Sequence, residues 1–244
     1  MRIFFAIILT IWVAATLSAQ NNDIENKHLF IFFYKEQNEK TLSQEKVFDE
    51  AVRNLGASAN FMKVNTKDPA QKALVDKYNL KRTPMPFVLV MASNGAITGG
   101  YSTFTSEQLS NAIVSDGTAK ILKGLQDQKL VILALQNSKT MNNTAAMQGV
   151  TDFKADPRFS NATEIVMIDP SDSREHKFLS MLSLDTNITQ AQTVLIAPPA
   201  EVLGTYQGPT TKKQLVDSVQ NAASGCCPGG CCPGGCCPGG KCGK

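Results

Sequence analysis

The most reactive side chains of this sequence are its seven cysteines, and all of them lie close to the C-terminus. They occur in three copies of CCPGG followed by KCGK, at Cys226, Cys227, Cys231, Cys232, Cys236, Cys237 and Cys242. Proline followed by glycine favours a tight turn, so each repeat sets two adjacent thiols on one turn. No large apolar residue follows Ala223, and we therefore expect this tail to be disordered without a ligand.

Four interpretations of this thiol density are open. Clustered thiolates bind soft metal ions such as Cu(I) or Zn(II), and a thiol-rich segment can become ordered around the metal. An odd number of exported cysteines could instead form intermolecular disulfides. Adjacent cysteines close a strained ring, and strained disulfides exchange readily, which would suit redox work. The fourth interpretation is a low-complexity repeat without a selected role. Soft-metal binding fits the clustering best, which makes the seven tail cysteines the predicted ligands.

The N-terminus has the pattern of an export signal. Met1-Arg2 is followed by an apolar run from Ile3 to Ala15 and then by small residues that end at Ala19. A membrane-spanning helix needs about 20 apolar residues, so the run is short for a span, and cleavage after Ala19 is predicted, with an uncleaved N-terminal anchor as the alternative. We expect an exported protein, secreted or periplasmic, with no membrane span once the signal is removed. Its thiols would then lie where disulfides form and persist.

Charge and motifs exclude several classes of function. The chain has 24 basic and 21 acidic side chains, a formal charge of +3, and no basic stretch interleaved with aromatic residues. Nucleic acid and anionic membrane surfaces are therefore not indicated as partners. The sequence also contains no Ser-His-Asp order, phosphate-binding glycine loop or metalloprotease helix. The expected partners are soft metal ions or a thiol/disulfide partner protein.

Between the two termini, hydrophobic periodicity predicts the same series of elements twice. Each series has the order strand, helix, strand, helix, strand, strand, helix. The first has strands at His28–Tyr34, Phe61–Val64, Pro86–Met91 and Ala96–Tyr101, with helices after Thr41, after Asp68 and around Leu109. The second has strands at Leu130–Leu135, Glu164–Ile168, Thr193–Ile196 and Val202–Tyr206, with helices after Thr140, around Leu179 and around Leu215.

Local sequence matches indicate that the second series is a duplicate of the first. Gln37 to Thr41 reads QNEKT, and Gln136 to Thr140 reads QNSKT. The sequence VLV at Val88–Val90 similarly matches VLI at Val194–Ile196. Gly99 and Tyr101 have counterparts in Gly204 and Tyr206, at nearly the same spacing. Such a recurrence predicts an internal repeat, with domains at 20–116 and 117–224 between a signal peptide at 1–19 and a tail at 225–244.

A βαβ unit followed by a β-hairpin and a helix resembles the thioredoxin fold. In that family a Cys-x-x-Cys motif begins the first helix, and its thiolate performs disulfide exchange. This chain has Asn38-Glu39-Lys40-Thr41 at that place, and the second repeat has Asn137-Ser138-Lys139-Thr140. Neither asparagine nor threonine supplies the sulfur that exchange requires. The resemblance therefore implies an α/β fold of two tandem thioredoxin-like domains, and neither domain is expected to be an enzyme.

The family also has a cis-proline before the third strand, where the backbone pairs with extended peptides. The sequence Thr83-Pro84-Met85-Pro86-Phe87 resembles this feature, with Pro86 as the cis residue. The resemblance thus implies a peptide groove at Met85 and Pro86. The second repeat has Thr189-Gln190-Ala191-Gln192 there, without a proline.

Ordinary structural roles account for the remaining polar candidates. Thr41 and Thr140 are predicted to be helix N-caps, and the asparagines before them to be turn residues. His28 and His176 have no second ligand at metal-binding spacing and are expected to lie at a strand end and on a helix surface. The carboxylates of Asp169-Pro170-Ser171-Asp172 are expected to stabilise a strand-to-helix turn.

The sequence as a whole predicts an exported, non-catalytic carrier that presents a metal-binding polycysteine tail. Two alternatives remain. The tail cysteines could perform thiol-disulfide exchange or antioxidant work, or the first domain could bind a peptide or protein while tail disulfides anchor the chain.

Overall fold

The computed structural model describes residues 27–223. The predicted signal peptide and the cysteine tail, with all seven predicted metal ligands, lie outside this range. The chain divides into two compact units between Val114 and Ser115, here domain 1 and domain 2. Within the described range, no helix is both long and apolar enough to cross a membrane.

Domain 1 follows the predicted order of elements, with small shifts of their ends. Its strands are β1 (His28–Tyr34), β2 (Ala59–Asn65), β3 (Phe87–Met91) and β4 (Ile97–Tyr101). Its helices are α1 (Glu39–Leu55), α2 (Lys72–Lys77) and α3 (Ser106–Ser110), with short 3₁₀ turns at Gly56–Ser58, Pro69–Gln71 and Leu80–Arg82. As predicted, Asp68 begins the second helical segment, since its side chain accepts a hydrogen bond from the backbone of Ala70.

The sheet of domain 1 has the order β2-β1-β3-β4, with β1 parallel to β2 and antiparallel to β3. Because β1 is central, its side chains alternate between two buried faces. Phe30 and Phe32 pack under α1 and α3, whereas Ile31 and Phe33 pack under α2. All four are fully buried, so the aromatic run of β1 forms the middle of the core.

Domain 2 repeats this architecture. Its strands are β5 (Leu130–Leu135), β6 (Thr163–Ile168), β7 (Gln192–Ala197) and β8 (Glu201–Gln207), in the sheet order β6-β5-β7-β8. Its helices are α4 (Asp116–Gln126), α5 (Asn143–Lys154), α6 (His176–Met181) and α7 (Lys212–Ala223). The parallel and antiparallel pairings match those of domain 1. Both units therefore have the strand order and connections of the predicted thioredoxin-like fold.

Helix α4 is an element that hydrophobic periodicity did not predict. It begins after Ser115, whose side chain accepts a hydrogen bond from the backbone of Thr118 at 3.0 Å. Ile121 and Leu125 of α4 are buried against the sheet of domain 2. The signal was present in the sequence, because a serine N-cap precedes apolar residues at helical spacing.

The predicted match of Val88–Val90 with Val194–Ile196 is off by one residue. Val90 pairs with Gly99 across the first hairpin, whereas Leu195 pairs with Gly204 across the second. Val90 therefore corresponds to Leu195, and Met91 corresponds to Ile196. Since a one-residue shift moves every side chain to the opposite face of a strand, the register matters for comparing the domains.

An ion-pair cluster ties α7 to the turn after α5 in domain 2. Asp156 accepts hydrogen bonds from the guanidinium of Arg158, and the ammonium of Lys212 lies 2.8 Å from its carboxylate. The Arg158 side chain, then Lys212, hold the pKa of the Asp156 carboxyl well below its usual range. This carboxylate therefore stays ionised and joined to both cations at acidic pH.

Candidate functional site

A large cavity of domain 1 lies where β1 and β2 end. It is a cleft of about 700 Å³ between the N-terminus of α1, helix α2 and the loop before β3. We call it the Met85 cleft, because Met85 forms one wall and Asn38 and Thr41 form the opposite one. In a parallel β-α unit, this edge of the sheet is where a helix N-terminus and the following loops converge.

The N-terminus of α1 is built differently from the prediction. Asn38 is the N-cap, and its side-chain oxygen accepts a hydrogen bond from the backbone N–H of Thr41 at 2.9 Å. Thr41 lies inside the first turn and is only 1% exposed, so its prediction as N-cap was wrong. Asparagine is preferred over threonine as an N-cap, which explains why the helix begins earlier than predicted. Neither side chain is a nucleophile suited to disulfide exchange.

Charged side chains line the rim of the Met85 cleft. Asp76 pairs with Lys72 and lies 3.6 Å from Lys81, and the hydrogen bond from Lys72 holds the pKa of Asp76 below its usual range. Glu36 pairs with Lys67 at 2.8 Å, which lowers the pKa of Glu36 in the same way. Both carboxylates are thus ionised at neutral pH and neutralised by lysines, which is unsuited to a proton-transferring acid or base.

The wall formed by Met85 presents a free stretch of backbone. The Met85–Pro86 peptide bond is cis, and Met85 itself is half-buried. Thr83 donates its backbone N–H to Leu80 at 3.1 Å, and pairing with β1 begins only at Phe87. Between these points, the N–H and C=O of Met85 have no hydrogen-bond partner within residues 27–223. A strand segment with free backbone groups can pair with an added peptide strand.

In domain 2 the turn between β5 and α5 is held by its own side chains, and a smaller cavity of about 330 Å³ lies beside it. The hydroxyl of Thr140 accepts a hydrogen bond from the Asn137 backbone at 2.9 Å and lies 2.7 Å from the Asn143 side chain. Asn137 in turn donates to Asp169 at 2.8 Å. Thr140 therefore stabilises the turn before α5. Its prediction as N-cap was wrong, because α5 begins after Asn142, whose side chain makes no capping hydrogen bond.

A main-chain bridge also occupies the loop before β7. The N–H of Met141 donates to the carbonyl of Thr189 at 2.9 Å, and the N–H of Ala191 donates to the carbonyl of Met141 at 2.8 Å. Ala191 corresponds to Pro86 of domain 1, and proline has no N–H to donate. Pro86 therefore cannot form the second of these two hydrogen bonds. The bridge was not predicted, although the missing proline at Ala191 was its signal.

The two histidines and the Asp169 turn have structural roles. His28 accepts a hydrogen bond from the backbone of Val114 at 3.2 Å, and His176 lies 3.2 Å from the carbonyl of Pro170. Asp169 accepts from the backbone of Ser171, as expected for a turn. Its pKa is lowered by the hydrogen bond from the Asn137 side chain and then by Ser171.

Asp172 holds the next part of the same turn. It accepts hydrogen bonds from the backbone and guanidinium of Arg174, and the Arg174 side chain lowers the pKa of Asp172 to about 2. Across residues 27–223, no group of three or more histidine, cysteine or acidic side chains is arranged to hold a metal ion.

Solved structures similar to this chain include thioredoxins. The first two thioredoxin domains of Eps1p from Saccharomyces cerevisiae are 9% identical, with a TM-score of 0.32, over 83% of this chain and 95% of that one. Deadhead, a germline-specific thioredoxin of Drosophila melanogaster, is 14% identical, with a TM-score of 0.31, over 43% of this chain and 94% of that one. The thioredoxin of Fasciola hepatica is 16% identical, with a TM-score of 0.32, over 41% of this chain and 90% of that one.

Identities this low concern the fold alone, and the strand order described above is the basis for the fold. No protein-family model matches the chain, and no curated protein matches it. What the site can do must therefore be argued from its own residues. The Met85 cleft has an open backbone edge and a neutralised polar rim, which suits binding better than catalysis.

Proposed function

We propose that this protein is an exported, non-catalytic pair of thioredoxin-like domains that presents its cysteine tail for soft metal ions, Cu(I) or Zn(II). The observation that carries this proposal is the segregation of sulfur. All seven cysteines lie from Cys226 to Cys242, and both domains have none. Thiolates are the ligands that these ions prefer, and metal binding by clustered thiols needs no preformed site. The folded domains would then serve as the carrier.

Elemental analysis combined with thiol titration tests this function. The full chain, purified without oxygen, is compared with a chain that ends at Ser224 and with a full-length chain in which all seven cysteines are serine. We expect about one to three metal ions per full chain, since each ion takes several thiolates, and none in either variant.

A metal-free full chain with oxidised cysteines would contradict this proposal. It would favour the alternatives in which the tail cross-links the chain or exchanges disulfides. Non-reducing electrophoresis separates those two, because cross-linking produces oligomers. Disulfide exchange would instead appear as reduction of a disulfide substrate that is lost when the tail is removed.

A second function, binding of an extended peptide, is favoured by the free N–H and C=O of Met85 beside the Met85 cleft. Main-chain pairing of this kind gives affinity, and the adjacent cleft would accept alternate side chains of the peptide. The tail could then anchor the complex through disulfides.

Two substitutions of Met85 separate backbone pairing from side-chain packing. Met85→Pro removes the N–H, whereas Met85→Leu keeps it with a side chain of similar size. In a peptide-library screen we expect ligands of the full chain to lose about fivefold in affinity with the first variant and to keep it with the second, since one main-chain hydrogen bond is worth about 1 kcal/mol. Equal losses in both variants, or retention in both, would contradict main-chain pairing.

A further inference from the structure

On the face of the domain 1 sheet opposite to α1, a row of apolar side chains crosses three strands. Leu29 of β1 pairs with Met91 of β3, and Met91 pairs with Ile97 of β4. Leu29 is half-buried, and Ile97 is 43% exposed. A cleft of about 310 Å³ lies beside this row, between Leu29, Met91 and Tyr78. We call it the Leu29 cleft.

The same row in domain 2 is covered. Val131 pairs with Ile196, which pairs with Val202, so Val131 occupies the position of Leu29. Val131 and Ile196 are fully buried. Helix α4 approaches so closely that a Cβ on Gly124 would lie 2.8 Å from Val131.

The fold therefore accepts a helix on this face. In domain 2 that helix inserts two aliphatic side chains four positions apart, Ile121 and Leu125. Among the described residues of domain 1, no helix covers the corresponding row beyond α2. Domain 2 buries the equivalent apolar surface under a helix. The surface on domain 1 is therefore suited in shape to a helix of another protein.

The charges around the Leu29 cleft favour a different kind of helix from α4. Lys27 and Lys77 border the cleft, and no acidic side chain is among the described residues that line it. The ammonium of Lys77 lies 5.2 Å from the centre of the Tyr78 ring, so the positive charge is held at the edge of the apolar surface. Acidic groups on an approaching helix would meet complementary charge here.

We propose that the Leu29 cleft is a docking site for an amphipathic helix of a partner protein. The helix carries two aliphatic side chains four positions apart and acidic residues at its flanks. This site is separate from the Met85 cleft and from the cysteine tail, and it depends on neither proposed function.

A synthetic helix based on the sequence of α4 tests the proposal. The probe is a labelled peptide with the sequence of residues 115–127, in which Lys120 and Lys123 are replaced by glutamate, and its binding to the full chain is followed by fluorescence anisotropy. We expect saturable binding that weakens about fivefold with Lys77→Glu, because one exposed ion pair is lost. The peptide that keeps its lysines should show the reverse preference.

Control variants locate the contact. Lys46 lies exposed on α1, against the other face of the sheet, so Lys46→Glu makes the same charge change without an expected effect. Ile97→Asp places a charge on the exposed end of the apolar row and should abolish binding, while thermal unfolding reports whether the domain remains folded.

Four results would overturn the proposal. The first is absence of saturable binding, and the second is binding that responds equally to the Lys46 and Lys77 changes. The third is at least tenfold tighter binding by a chain that begins at Lys27, which would make the preceding residues of this chain the occupant. The fourth is a dimer of the full chain that Ile97→Asp dissociates, which would make a second copy the occupant.

Discussion

The two domains share one strand order but differ at the same two surfaces. Domain 2 has a main-chain bridge before β7 and helix α4 packed on Val131, and neither feature occurs among the described residues of domain 1. The central strands are buried in both copies, with Phe32 and Leu133 each fully enclosed. The two domains thus share a buried core and differ at its edges.

The first difference depends on a backbone donor. Ala191 has an N–H and uses it to bind Met141, so the loop before β7 is paired within domain 2. Pro86 at the corresponding position has no N–H, and the backbone groups of the neighbouring Met85 stay free within residues 27–223. Proline at this position therefore excludes the hydrogen bond that Ala191 donates in domain 2.

The second difference depends on a whole helix. Val131 is buried beneath α4, whereas Leu29 at the same position is half-buried. Within residues 27–223, both differences leave groups of domain 1 without the contacts that their counterparts make in domain 2. The two proposals of ligand binding to the folded domains therefore concern domain 1.

Shortening a buried side chain of α4, the helix that packs on the sheet of domain 2, should give the largest loss of stability. Ile121 of α4 is fully buried, so Ile121→Ala loses apolar contacts and leaves a cavity. We expect the free energy of unfolding of domain 2 to fall by about 3 kcal/mol. Chemical denaturation followed by domain-resolved hydrogen exchange measures this loss.

Leu29→Ala is the matched change on domain 1. Because Leu29 is only partly buried, its truncation should cost less, about 1 kcal/mol. Equal losses from the two substitutions would show that the Leu29 row is as well covered as its counterpart, and the contrast between the two faces would be lost.

Ala191→Pro converts the edge of domain 2 to the type found in domain 1. The substitution removes the N–H that binds Met141 and leaves that carbonyl without its donor. We expect a loss of about 1.5 kcal/mol in the stability of domain 2, together with faster exchange of the Met141 amide.

Ala191→Gly is the control, because it keeps the N–H while removing the methyl group of the side chain. It should leave the exchange rate of the Met141 amide close to that of the unchanged chain. If both variants accelerate exchange alike, the bridge depends on packing of the Ala191 side chain. The missing N–H of Pro86 would then not explain the difference between the domains.

How much of the fold and the site was predictable depends on the range of the interactions. The strand His28–Tyr34 was predicted with its observed ends, because a buried central strand is a continuous apolar run. The β-bridge between Met141 and Gln190 could not be predicted from such a run, since it joins loops far apart in the sequence. The metal-binding and export predictions concern residues outside 27–223 and stay predictions.

The two errors in predicting helices have different causes. Thr41 was predicted as N-cap from a capping-box pattern, yet Asn38 supplies the oxygen that Thr41 binds. Two nearby candidates compete for one helix start, and a difference of a few tenths of a kcal/mol decides between them. Helix α4 was missed for a different reason, because it precedes the repeat and has no described counterpart in domain 1.

The smallest expected effect separates the two helix starts. Asn38→Ala removes the cap of α1 and should lower the stability of domain 1 by about 1 kcal/mol, whereas Asn38→Ser keeps an acceptor oxygen and should cost little. Helix α5 has no side-chain cap, so its start in domain 2 has no cap of this type to lose. Denaturant titration with domain-resolved hydrogen exchange distinguishes the variants. If serine costs as much as alanine, Asn38 acts through contacts in the Met85 cleft and the side chain would belong to the binding surface.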